Sequence, residues 1–86
     1  MPKPDRKERN RIKRAVLDAA DNRPSLSEFL RRLHGVHPDL DAALEGIYCG
    51  HDGRVAEPVA DWNCSIVFGW HSTATRKHVI EYAYLA

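Results

Sequence analysis

Cysteine is scarce in this chain. Cys49 and Cys64 are the only two, too few for a disulfide scaffold. In a reducing compartment they read as half-buried thiols. In an oxidising one, a bridge between them would close a short loop and stabilise by about 3 kcal/mol. Long apolar runs are missing too. None approaches the roughly 18 residues of a membrane helix, and no apolar segment follows the basic N-terminus as in a secretory signal. Cytoplasmic residence and no membrane association are the resulting expectations. Neither an internal repeat nor a low-complexity tract is present, and no catalytic or cofactor motif stands out.

With 86 residues the chain makes one domain, 1–86. A domain of that size hides roughly 60–65% of its unfolded surface, enough for a modest core but not for a deep, dry active site. Its hydrophobic content of 43% is that of a globular protein.

Charge is plentiful but unevenly placed. Residues 1–14 hold Lys3, Arg6, Lys7, Arg9, Arg11, Lys13 and Arg14 against Asp5 and Glu8, a net of +5. The remaining residues hold six bases and ten acids, a net of −4. The overall +1 therefore conceals a dipolar molecule, and such a split marks a binding surface more often than a catalytic one. Arg outnumbers Lys and Ala is abundant, a composition that leans toward a GC-rich bacterial or phage genome.

The first half predicts three short helices, with residues 1–5 as a flexible lead. Asp5 and Glu8 stand in capping-box relation, and Ile12, Ala15, Val16 and Ala19 form one apolar stripe. Asn22 and Pro24 end this helix. Ser25 and Glu28 cap the second, whose stripe is Leu26, Phe29, Leu30 and Leu33; Gly35 supplies a left-handed exit. Pro38 opens the third, with Asp39 and Asp41 in its first turn and Leu40, Ala43, Leu44 and Ile47 as its stripe. Residues 49–63 read as a long connecting loop in which Val55 marks a short edge strand. The chain closes with a β-hairpin. Ile66, Phe68 and Trp70 alternate on one arm and Ile80, Tyr82 and Tyr84 on the other. Registers that set Phe68 opposite Ile80 or Tyr82 gather all six on one face, which must then lie on the helices. The expected fold class is α+β: three short N-terminal helices, a long loop and a C-terminal β-hairpin packed on the helices.

Five candidate sites follow. A basic face comprises Arg6, Lys7, Arg11, Lys13 and Arg14 of the first helix, together with Arg76 and Lys77 at the hairpin tip. It suits phosphates or an acidic protein surface, although Asp5–Arg9 and Arg14–Asp18 are spaced to pair locally. An acidic face comprises Asp39, Asp41, Glu45, Asp52, Glu57 and Asp61, with Arg54 the single base between residues 37 and 63. It suits a basic protein surface, or simply solubility. The turn His34-Gly35-Val36-His37, with a hairpin downstream, suggests a winged helix-turn-helix. Yet the third helix carries three carboxylates and no base, a poor fit to a DNA groove. Trp62, outside any periodic element, is either a lid on the core or an interface anchor. The hairpin aromatics are a stacking platform for single-stranded nucleic acid or, more simply, core.

Metal and catalytic readings are weaker. His37 and Cys49 flank a helix of about eleven residues and so stand roughly 16 Å apart, too far to share one ion. Cys49, His51 and Cys64 remain a conceivable three-ligand set through the loop, and His34 adds nothing to it. His71 and His78 fall on opposite faces in the registers considered, so they cannot act on one bond. Cys64 with a nearby His is a nucleophile that no motif in the sequence supports. The expectation is therefore no enzyme, no metal and no cofactor.

The expected function is non-catalytic regulation or inhibition by binding a macromolecular partner, a protein that handles nucleic acid, through separated acidic and basic faces. The alternative is a direct DNA- or RNA-binding regulator using the basic helix and the hairpin tip. A homodimer is compatible with the opposite charges and with a terminal strand edge.

Overall fold

The computed structural model describes residues 5–45, 53–75 and 77–86. Three helices, α1 (Arg6–Ala19), α2 (Leu26–Leu33) and α3 (Pro38–Glu45), precede three strands, β1 (Gly53–Pro58), β2 (Ser65–Ser72) and β3 (His78–Leu85). The class is α+β. The strands form one antiparallel sheet in the order β1-β2-β3.

The helices start where local chemistry says they should. The Asp5 side chain accepts a hydrogen bond from the Glu8 amide at 2.8 Å, and Ser25 accepts one from the Glu28 amide at 3.2 Å. Each satisfies an orphan donor of a first turn. Asn22 and Arg23 both take left-handed backbone at the α1–α2 corner, and Gly35 does so after α2 with φ +84°. The last turn of α1 has no base of its own; Arg32 of α2 donates to the carbonyls of Ala19 and Asp21 at 3.2 Å each.

One face of the sheet carries the helices. Ile12, Val16 and Ala19 of α1, Leu26, Phe29 and Leu33 of α2 and Leu40 of α3 meet Ile66, Phe68, Trp70, Ile80, Ala83 and Leu85 in one core. Phe68 lies at its centre, its ring 5.1 Å from Phe29 and 5.7 Å from Trp70. The α1–α2 linker also stitches onto β3, where the Ile80 amide donates to the Pro24 carbonyl at 2.9 Å.

Two expectations are corrected here. The stretch 49–63 is not one irregular connection: Gly53–Pro58 pairs along β2 from Gly53–Trp70 to Pro58–Ser65, so the hairpin becomes a three-stranded meander. The strand was inconspicuous because Val55 is its only large apolar residue, and its order comes from a partner already buried on both faces. The second correction is one of register. Phe68 faces Ala83, neither Ile80 nor Tyr82, while Trp70 faces Ile80. One additional residue, Glu81, is accommodated in β3 opposite Gly69–Trp70. This bulge reverses side-chain parity. Ile80 points to the core before it, Ala83 and Leu85 after it, and Tyr82 and Tyr84 face away from the helices.

Candidate functional site

Burial of Ile12, Val16 and Ala19 against the sheet leaves the opposite side of α1 to solvent. Arg6, Lys7, Arg11, Lys13 and Arg14 are all exposed there. Two of them pair within the helix. Arg11 bonds Glu8, with Nε donating at 3.1 Å, and Arg14 approaches Asp18 at 3.3 Å. The hydrogen bond from Arg11 holds the Glu8 carboxyl below its ordinary range and raises the guanidinium in return. Arg11 also donates to the Val36 carbonyl at 3.0 Å, tying the helix to the α2–α3 turn. Such exposed pairs do little to quench the field of the face. Among the described residues, no carboxylate of α3 pairs with a cation of α1. Of the tip residues in the same candidate face, Lys77 is exposed and Arg76 lies outside the described residues.

The acidic residues are differently employed. Asp39 accepts from the Trp62 indole N–H at 3.1 Å. Asp41 accepts from the Gly35 amide through both oxygens, at 3.1 and 3.2 Å, and so braces the left-handed turn before α3. Both carboxylates thus serve inside the molecule. Glu45 and Asp61 are exposed and Glu57 is half-buried on β1; Asp52 lies outside the described residues. Helix α3 carries Asp39, Asp41 and Glu45 and none of the cations that a recognition helix would need.

Trp62 is the lid. Its side chain is fully buried, although it sits in the β1–β2 connection. Left-handed Ala60 and Asn63 bend that connection so that Val59 and Trp62 both plug the core. Arg9 donates to the Trp62 carbonyl at 2.6 Å, and the edge of His37 meets the indole at 5.0 Å. The anchor reading of Trp62 is corrected accordingly: a ring this deep, bonded to Asp39 of α3, has no surface to offer a partner.

Two histidines lie near the clefts formed by the described residues. The one beside the tip, about 430 Å³, is lined by Ser25, Leu26, Ser27, Leu30, Lys77 and His78. His78 bonds the Ser72 hydroxyl at 3.0 Å, and His71 bonds Glu81 at 2.9 Å. Their partners across the sheet, Ser72 and Val79, are adjacent positions on opposite strands, so the two imidazoles lie on opposite faces. Among the described residues no three His, Cys, Asp or Glu side chains converge as metal ligands; Cys49 and His51 lie outside them.

The sequence reading missed the outer face of the sheet. Tyr82 and Tyr84 stand there with rings 6.1 Å apart and 26° from parallel. Tyr82 leans over Gly69, where a Cβ would fall 2.5 Å from its Cε1. Tyr84 and Ala56 flank Val67 in register, and Val67 is buried away from the main core. Arg54 of β1 donates to the Tyr84 hydroxyl at 3.5 Å, across the intervening strand. The signal was Gly69 inside the apolar run Ile66–Trp70, since a strand-interior glycine marks a bulge or a close approach.

No helix among the described residues is long and apolar enough to cross a membrane. Comparison with protein-family models, with curated proteins and with solved structures finds no match to this chain, so α+β architecture with an exposed cationic helix is the extent of its classification.

Proposed function

We propose that this chain is a small non-catalytic regulatory protein that acts by binding nucleic acid through the cationic face of α1. The observation that carries this is the state of the rail. Its cations are exposed, among the described residues they pair within α1 or with a backbone carbonyl, and two of the three α3 carboxylates, Asp39 and Asp41, are committed to Trp62 and Gly35. A rigid helix presenting Lys7, Lys13 and Arg14 is suited to a row of phosphates, whose counterions it would release. Nothing in the rail reads base sequence, so the expected mode is backbone binding.

The test is titration of a labelled mixed-sequence duplex and of a labelled single strand across a salt series. The expected result is a linear fall of log affinity with log salt, with about 0.9 in slope for each duplex phosphate contact. The triple substitution K7Q/K13Q/R14Q should flatten the slope and weaken both probes. Arg11 is spared because it anchors Glu8 and Val36. Absence of binding to either probe at low salt would overturn the reading. It would return the function to a protein partner that handles nucleic acid, with Glu45, Glu57 and Asp61 as the remaining acidic contacts and the rail as the basic one.

A further inference from the structure

The helices cover one side of the sheet; the other holds an aromatic surface that folding alone does not require. Tyr82 is 40% exposed and Tyr84 37%. Each follows the bulge at Glu81, and each would have been core had β3 kept its parity. The Cε1, Cζ and hydroxyl end of Tyr82 lies over Gly69. Tyr84 leans the same way, since its hydroxyl meets Arg54 two strands over. The two rings are stacked, with centroids 6.1 Å apart and planes 26° from parallel, and come from alternate residues of one strand. Together they keep an aromatic surface exposed to solvent.

The surroundings are cationic. Arg54 stands at the far side of the rings. Lys77 stands at the tip end of β3. The carboxylate nearest in sequence, Glu81, is held by His71. Flat aromatic rings bordered by separate cations match a polymer that alternates planar bases with phosphates.

We propose that the outer sheet face, with Tyr82 and Tyr84 as stacking rings and Arg54 as a phosphate contact, binds single-stranded nucleic acid. This rests on the nucleic-acid reading above and adds to it a strand type and a second surface. Bases stack on the exposed tyrosines while the backbone passes Arg54. The mode is tolerant of sequence, because every base has a π-face.

The test uses the full chain with fluorescein-labelled oligo-dT, oligo-rU and a mixed-sequence duplex. Y82A and Y84A should each weaken single-strand binding by roughly 5- to 150-fold, the usual loss on removing one stacking side chain, and leave the duplex nearly unchanged. Y82F should retain binding, since the ring face persists. G69A should weaken it with both tyrosines still present, because its Cβ displaces the flexible end of Tyr82. R54Q should lower the single-strand salt slope by about 0.7. If G69A fails to fold, Y82A against Y82F decides. Unchanged oligo-dT and oligo-rU affinity in Y82A and Y84A, with K7Q/K13Q/R14Q abolishing binding, overturns this proposal and leaves the function of α1 standing. Failure of the unaltered chain to bind any probe overturns both. If the unaltered chain sediments as a dimer that Y82A or Y84A dissociates, the face is an interface between copies and the proposal falls.

Discussion

Replacing Trp62 by alanine separates a core lid from a surface anchor. The side chain is fully buried, and its indole N–H reaches Asp39 at 3.1 Å. Truncating a buried Trp to Ala costs about 3–5 kcal/mol through lost burial and the cavity left behind. A chain of this length has about 4–13 kcal/mol of stability in total, so the variant should lie close to unfolding at 25 °C. The hydrogen bond can be isolated. Asp39→Ala leaves the indole N–H buried without its acceptor, at a cost of about 1–3 kcal/mol. Trp62→Phe removes the donor and keeps most of the apolar ring, so the two changes together should cost less than the sum of each alone. The bond from Arg9 to the Trp62 carbonyl persists in every case, because it is made to backbone. Urea denaturation followed by far-UV circular dichroism measures the unaltered chain, the three single variants and the Asp39→Ala/Trp62→Phe double variant, with a common m-value as the control. A loss below about 1 kcal/mol for Trp62→Ala would refute burial of the ring. Additive costs for Asp39→Ala and Trp62→Phe would refute the bond between them.

Three further outcomes follow from the local chemistry. Ser25→Ala should lower stability by about 1 kcal/mol, since the hydroxyl that accepts from Glu28 caps α2; a urea midpoint equal to that of the unaltered chain would contradict it. Gly35→Ala should cost about 1–2 kcal/mol although there is open space around the position, because φ +84° is strained for any residue with a Cβ; the same denaturation experiment checks it. Glu8 titrates below its ordinary 4.5 because Arg11 bonds it. A carboxyl whose pKa is depressed on folding adds stability above its unfolded pKa and loses it as pH falls through the folded value. The stabilities of the unaltered chain and Glu8→Gln should therefore converge as the pH drops below 4.5, and a gap independent of pH would disprove the pairing.

The helical half of the molecule was legible because its signals are local. A cap and its amide lie three residues apart, and a stripe repeats within two turns, so Asp5, Ser25, Gly35 and the buried Ile12, Phe29 and Leu33 could each be read from near neighbours. The exposed cations of α1 followed from the same wheel. The acidic face was harder, since composition shows that Asp39 and Asp41 are charged but not that an indole and a turn amide have claimed them.

What the chain dictated unaided is therefore three helices, two of them with N-caps, an excess of positive charge at one end and enough alternating apolar residues for a sheet. The tertiary structure alone decided which side of that sheet the tyrosines occupy. The alternation Ile80, Tyr82, Tyr84 runs unbroken in sequence, yet accommodating Glu81 inverts it, and that depends on pairing with β2 rather than on neighbours in the chain. Register is a property of two strands together, so no periodicity within one of them can reveal it.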